Sequence, residues 1–164
     1  MLARLLLPLL LLVPSPGPGP YEWPLDGPPP VTRPFQPPPE PWLAGHRGVD
    51  LGAEPGDPVR AAGPGVVAFA GVVAGRPVVS VDHPGGLRTT YEPVSPSVRA
   101  GQAVGAATVL GTLLAGHPGC PVAACLHWGL RLGDAYLDPL ALLGLAQVRL
   151  LPLSRAGSLA ASRS

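Results

Sequence analysis

Two histidines and one aspartate are the residues of this chain whose types could form a metal site. His46 and Asp50 lie in the sequence His-Arg-Gly-Val-Asp, and His127 lies far downstream in Cys-Leu-His-Trp. Two neutral imidazoles and one carboxylate are a common ligand set for catalytic zinc, and they leave a fourth coordination position for water. By spacing alone, His46 and Asp50 also suit a turn between Gly45 and Gly48 that holds no metal. The zinc hypothesis therefore needs support from other parts of the sequence.

Short β-strands are the elements that would position these residues. From residue 58 onward, apolar and β-branched runs alternate with Gly and Pro, which is typical of short strands joined by turns. The predicted strands cover residues 59–62, 66–70, 78–82, 87–91, 109–114 and 126–131, with edge strands at 31–35 and 148–151. One helix is predicted at 139–143, with Asp138 as N-cap and Gly144 as its end. The sequence therefore predicts an all-β fold, a compact antiparallel β-sandwich or barrel with little helix.

The overall composition is that of one small globular domain rich in turns. The chain has 164 residues and a formal net charge of +1, so it offers no electrostatic argument for binding nucleic acid. With 25 Pro and 22 Gly, loops must be many and long helices few. The 46% of hydrophobic residues still supplies a core.

The N-terminal sequence predicts export. Arg4 precedes an apolar run over residues 5–13, and the run ends at the Pro/Gly-rich residues 14–20. A membrane span needs about 20 apolar residues, whereas a run of this length is typical of a signal-peptide core. We therefore expect residues 1–20 to be a signal peptide or an uncleaved N-terminal membrane anchor, and the protein to be secreted or held in the cell envelope. The other predicted segments are a proline-rich segment (21–42), a β domain (43–153) and a disordered tail (154–164).

Several motifs follow one another in a fixed order along the chain: His46-Arg-Gly-Val-Asp50, Gly56-Asp-Pro-Val-Arg-Ala-Ala62, Thr90-Tyr91 and Leu126-His127-Trp128. This series resembles the lysostaphin-type zinc metalloendopeptidases, which cut peptidoglycan cross-bridges and have a duplicated hybrid motif fold. The resemblance extends over about residues 31–143. It implies that His46, Asp50 and His127 bind Zn²⁺. It also implies an exported enzyme that hydrolyses peptide bonds of cell-wall peptidoglycan with a zinc-activated water.

Two catalytic histidines of the resembled family have no counterpart here. The family motif Tyr-x-His corresponds to Tyr91-Glu92-Pro93, and the first histidine of the family motif His-x-His corresponds to Cys125. A general acid or base contributes about 10²- to 10⁴-fold in rate, so losing both without replacement would leave slow turnover. The sequence therefore also supports an alternative: a zinc-binding but catalytically weak or inactive domain that binds peptidoglycan or regulates another cell-wall hydrolase.

Glu92 and Cys125 offer possible replacements for these histidines. Glu92 is either a general base beside the metal or a solvated loop charge before Pro93. In an exported protein, Cys125 is expected to form a disulfide with Cys120. A reduced Cys125 would instead face the same side of its strand as His127, and it could then act as a fourth zinc ligand. We favour the disulfide.

The remaining histidines are expected to lie outside the site. His83 and His117 both sit beside Pro-Gly turns, and we interpret them as structural or solvated. Arg131 shares the strand parity of the ligand side, so it either contacts an anionic substrate group or is an ordinary surface arginine. Three aromatic residues of the proline-rich segment are expected to cover the domain or line a groove: Trp23, Phe35 and Trp42.

Overall fold

A computed structural model describes residues 20–40 and 42–145 of the chain. Within these residues the chain forms eleven β-strands and two short 3-10 helices, Pro84–Gly86 and Pro139–Leu143. The strands are β1 (Val31–Arg33), β2 (Gly48–Ala53), β3 (Pro58–Arg60), β4 (Gly65–Val73), β5 (Arg76–Asp82), β6 (Leu87–Glu92), β7 (Val94–Pro96), β8 (Ala103–Val104), β9 (Val109–Leu113), β10 (Ala124–Leu132) and β11 (Ala135–Leu137). In the described part, no helix is long and apolar enough to cross a membrane.

The strands form two antiparallel sheets that do not close into a barrel. The larger sheet has the order β1-β2-β10-β6-β5-β4-β8, with β11 paired to β10, and the smaller sheet has the order β3-β9-β7. The prediction of an all-β antiparallel fold with little helix is therefore confirmed. Strand β10 lies between β2 and β6, so His127 of β10 has β2 on one side and β6 on the other.

Alternation along β10 separates the core from the site. Leu126, Trp128 and Leu130 are buried, and they point to one face of the large sheet. Leu126 and Trp128 pack with buried residues of the smaller sheet, including Val59 of β3 and Leu110 of β9, in one hydrophobic cluster. Because successive side chains of a strand point to opposite faces, packing this cluster fixes His127 on the other face.

A buried hydrogen-bond chain holds β6 in place. His83 Nδ1 lies 2.8 Å from the Pro64 carbonyl oxygen, and its Nε2 lies 2.7 Å from Thr89 Oγ1. The hydroxyls of Thr89 and Tyr91 are hydrogen-bonded at 2.9 Å, and Tyr91 also accepts a bond from the backbone N–H of Ala62. Burial raises the pKa of Tyr91 to about 12, so its phenol stays neutral. Both ring nitrogens of His83 are thus satisfied, as expected for a structural histidine.

Most of the predicted elements are present, and the additional ones have weak sequence patterns. The predicted helix is present as the 3-10 helix after Asp138, whose side chain accepts a hydrogen bond from Leu140 N at 3.0 Å, and Gly144 ends it with φ 71°. Strands β2, β7, β8 and β11 were not predicted. In β2, five of six residues are buried, so its sequence lacks the alternation of a half-exposed strand. The predicted signal peptide or anchor, edge strand 148–151 and tail 154–164 lie outside the described residues, save for residue 20.

The proline-rich segment packs against the β domain. Strand β1 pairs with β2 at the edge of the large sheet, as predicted. The rings of Trp23 and Trp128 lie 6.3 Å apart, and Phe35 packs against the core. Trp42 is 78% exposed and does not cover the core. The segment therefore contributes both a strand and aromatic cover to the fold.

Candidate metal centre

The three predicted metal ligands meet at one point on the large sheet. His46 Nε2 lies 3.0 Å from Asp50 Oδ1, His127 Nδ1 lies 2.8 Å from the same oxygen, and the two nitrogens are 3.1 Å apart. One ligand atom from each residue thus lies within 4.8 Å of the other two. Two imidazole nitrogens and one carboxylate oxygen in such a cluster fit Zn²⁺, which prefers these donors and leaves a further position open in catalytic sites.

Strand register brings Asp50, His127 and Glu92 into one row. In the antiparallel pairings, His127 of β10 is directly opposite Asp50 of β2 on one side and Glu92 of β6 on the other. Directly opposed residues project to the same face of a sheet with their Cβ atoms about 5 Å apart. The row therefore follows from the register in which these three strands pair.

His46 reaches the cluster from a bridge just before β2. Its backbone is held by two hydrogen bonds with Gln36, N–H to O at 2.8 Å and O to N–H at 3.0 Å. The Pro34 carbonyl oxygen lies 2.7 Å from His46 Nδ1, so this nitrogen carries the proton and donates it. The lone pair of Nε2 is then left facing Asp50. Such outer contacts orient metal-binding histidines and raise their basicity.

The electrostatics of the cluster keep Asp50 charged. Asp50 is 1% exposed, and this burial opposes ionisation of its carboxyl group. Interactions with the surrounding His117, His127 and His46 outweigh burial, and they hold the pKa of Asp50 well below its usual range. The carboxylate is therefore available as an anionic metal ligand.

Gly48 allows β2 and β10 to approach closely beside the ligands. A Cβ atom at this position would lie 2.4 Å from the Trp128 carbonyl oxygen and 2.8 Å from His127 Nε2. We expect Gly48→Ala to displace the His127 ring or part the strands, which should lower zinc affinity at least about 10-fold and destabilise the protein by about 1–3 kcal/mol. Zinc titration and thermal unfolding measure both effects.

Gly105→Ala is the matched control for this prediction, because its added Cβ would meet nothing closer than Thr108 Oγ1 at 3.8 Å. Wild-type zinc affinity in the Gly48 variant would contradict the close approach described here.

A pocket of about 230 Å³ opens over the ligands. It is lined by Arg33, His46, Arg76, Glu92, His117, Pro118 and His127. Glu92 is the last residue of β6, and its side chain is 16% exposed. Its Oε1 lies 3.0 Å from Arg76 Nε, so it is not the free loop charge considered above. Its assignment as general base remains a prediction.

Cys120 and Cys125 form a disulfide, as expected. Because the sulfur of Cys125 is bonded to Cys120, it is not a thiolate ligand of the site. The bond ties the loop that joins β9 to β10 to Cys125, the second residue of β10. Because this loop carries His117, the cross-link constrains a residue that contacts the candidate metal ligands.

The structure places His117 beside Asp50 and His127, so the interpretation of His117 as solvated is wrong. Its Nε2 lies 3.2 Å from Asp50 Oδ1, and its ring stacks on that of His127 with centroids 5.6 Å apart and planes inclined by 20°. Sequence analysis missed this contact because the alternation of side chains along a strand does not predict where a loop residue lies. The one available signal was Cys120, whose pairing with Cys125 draws this loop to the site.

Arg131 takes no part in the cluster. It hydrogen-bonds to the Gly133 carbonyl oxygen and pairs with Asp134, so the surface interpretation of this arginine is the better one. It lines a separate hollow of about 450 Å³. That hollow is the larger of the two, but it lacks the ligand atoms, and its Arg88 and Asp82 are paired with each other. The smaller pocket is therefore the candidate functional site.

Sequence comparison gives one family and close relatives. A family model described as Peptidase family M23 matches residues 44–139. An uncharacterised protein of Mycobacterium tuberculosis (strain H37Rv) is 59% identical over 139 residues, which are 82% of this chain and 56% of that protein. The chain thus spans a little over half the length of the curated relatives it matches.

Structure comparison gives peptidases with the same fold. A Pseudomonas aeruginosa structure described as a peptidase M23 matches with a TM-score of 0.61 and 29% identity, covering 82% of this chain and 54% of that one. The antimicrobial peptidase lysostaphin of Staphylococcus simulans matches with a TM-score of 0.60 and 24% identity, covering 71% of this chain and 50% of that one. The second likeness is one of fold alone.

Proposed function

Because this chain belongs to the lysostaphin-type peptidase family M23, we propose that it is a zinc metalloendopeptidase that hydrolyses peptide bonds of cell-wall peptidoglycan. The supporting observation is the convergence of His46 Nε2, Asp50 Oδ1 and His127 Nδ1. When bound, zinc supplies Lewis-acid chemistry, because it polarises the scissile carbonyl and lowers the pKa of a water toward neutrality.

The residues around the ligand set complete this proposal. The Pro34 carbonyl fixes the tautomer of His46, and the register of β2 with β10 orients Asp50 toward His127. Glu92 lines the pocket in the next strand, where its carboxylate would accept a proton from the attacking water. The pocket would hold a short extended peptide against the open side of the ligands.

We further propose that the protein acts outside the cytoplasm, secreted or in the cell envelope. Disulfides persist in oxidising compartments, and Cys120 is paired with Cys125. The basic and apolar pattern of residues 4–13 supports the same location. Both features agree with a cell-wall substrate.

A second candidate function rests on the two absent imidazoles. Pro93 and Cys125 stand where family members have catalytic histidines, and neither side chain replaces an acid or a base. The chain would then bind zinc and peptidoglycan, or regulate another cell-wall hydrolase, with little turnover of its own. Both functions use the same metal site, and they differ in the rate of peptide-bond hydrolysis.

Zinc content and peptidoglycan digestion distinguish these functions. We expect the purified protein to hold one zinc ion by elemental analysis and to release peptides from isolated peptidoglycan. A chelator should stop the release, and added zinc should restore it, because the zinc ion held by the ligand set is the reaction's Lewis acid.

Stoichiometric zinc without peptide release would establish the binding or regulatory function instead. Chelator-resistant release, or the absence of zinc from an active protein, would contradict the proposed metal chemistry.

A further inference from the structure

His117 enters the metal site from a loop, although neither of the strands that carry Asp50 and His127 contains it. Its side chain is 9% exposed and lines the pocket over the ligands. It contacts the ligand cluster through Asp50 Oδ1 at 3.2 Å and by stacking on His127. A third imidazole thus lies beside two imidazoles and a carboxylate.

The bonding of His117 differs from that of the structural histidine His83. Both ring nitrogens of His83 have hydrogen-bond partners. In the described part of the chain, Nδ1 of His117 is buried without one. Leaving a buried polar atom unpaired is unfavourable, so it calls for a functional explanation. Unlike the ring of His83, the ring of His117 lines the pocket over the ligands and has one nitrogen at the ligand cluster.

His117 lies next to the ligand set rather than in it. The group whose ligand atoms all lie within 4.8 Å of one another comprises His46, Asp50 and His127. Two imidazoles and a carboxylate already suffice for a catalytic zinc ion that keeps an open position. His117 is therefore placed to contact what occupies that open position.

The disulfide holds this loop at the site. Cys125 lies two residues before His127 in β10, and its sulfur is bonded to Cys120. Cys120 is in turn hydrogen-bonded through its N–H to the His117 carbonyl oxygen at 3.2 Å. The glycines on either side of His117, Gly116 and Gly119, have positive φ angles of 96° and 79°, so the chain turns tightly here. The disulfide attaches this turn covalently to β10.

We infer that His117 is a catalytic residue of this chain, contacting the reacting groups in the pocket, and that the Cys120–Cys125 disulfide is what positions it there. This inference rests on the proposed peptidase function. Cys125 stands where the family has a histidine on the strand, so that imidazole is absent here. Through its disulfide, Cys125 instead holds the imidazole of His117 at the site from the preceding loop. The site regains a hydrogen-bonding imidazole at the reacting groups.

Two readouts on His117→Ala test the catalytic part. Peptide release should fall about 100-fold through kcat, as for loss of one transition-state hydrogen bond. Zinc stoichiometry and affinity, measured by elemental analysis and by competition with a chromophoric chelator, should stay within a few-fold of wild type. Val122→Ala, an exposed position in the same loop, is the matched control and should leave both unchanged.

A double-mutant cycle tests the positioning part. Cys120→Ser should lower kcat by a similar factor, and adding His117→Ala to it should cause little further loss, because both changes remove the same contact. Chemical labelling of histidines, read by mass spectrometry on the metal-free protein, gives a measurement independent of activity. Reducing the disulfide should raise labelling of His117 while His83 stays protected. Thermal unfolding verifies that each variant is folded.

Wild-type kcat in His117→Ala, a parallel loss of zinc, or additive effects in the cycle would overturn the inference. So would unchanged labelling of His117 after reduction. A wild-type protein that lacks zinc or releases no peptides would refute the proposed function instead, so the two failures are distinguishable.

Discussion

Asp50→Asn should abolish tight zinc binding, and peptidoglycan hydrolysis should be lost with it. The substitution keeps the volume of the side chain but removes the only anionic ligand of the set, in a position that is 1% exposed. Loss of an outer-shell contact costs about 10- to 100-fold in metal affinity, so we expect loss of this ligand to exceed 100-fold. Competition with a chromophoric chelator measures the change in affinity.

Thermal unfolding provides a second measurement of the same substitution. Zinc binds the folded wild-type protein and should raise its melting temperature, whereas it should leave that of Asp50→Asn unchanged. Asp82→Asn is the matched control, because Asp82 is a surface carboxylate paired with Arg88. Stoichiometric zinc at wild-type affinity in Asp50→Asn would show that the cluster is not the metal site.

Glu92→Gln should lower hydrolysis by about 10²- to 10⁴-fold while zinc binding is retained. Glutamine has the shape of glutamate and can still contact Arg76, but it cannot accept a proton from water. Glu92 is directly opposite His127 in the sheet and lines the same pocket, so its carboxylate is placed to act there. Initial rates of peptide release at saturating zinc measure the effect.

Glu54→Gln is a suitable control for this change, since Glu54 is exposed in the turn before β3. Unchanged hydrolysis in Glu92→Gln would remove Glu92 from the mechanism and leave it as the partner of Arg76. In that case His117 would remain as a candidate for contact with the reacting groups.

The sequence by itself predicted β6 and β10, two of the three strands at the site, and the three candidate ligand positions. The runs that became β4, β5, β6, β9 and β10 alternate or branch at Cβ, and such local patterns persist in the fold because one face of each strand must be buried. The helix at Pro139–Leu143 was predicted from its Asp138 cap and the Gly144 stop, which are local signals too. The ligand types at positions 46, 50 and 127 followed from ordered motifs.

Only the tertiary structure decided which other side chains reach the ligands. Strand β2 has no alternation to reveal it, because both of its faces are covered. The pairing of Glu92 with Arg76 depends on how β5 lies against β6. His117 depends on a loop whose path is set by a cross-link and by packing across the sheet. The conformation of a loop depends on such long-range contacts, whereas the periodicity of a strand depends on residues that are neighbours in sequence.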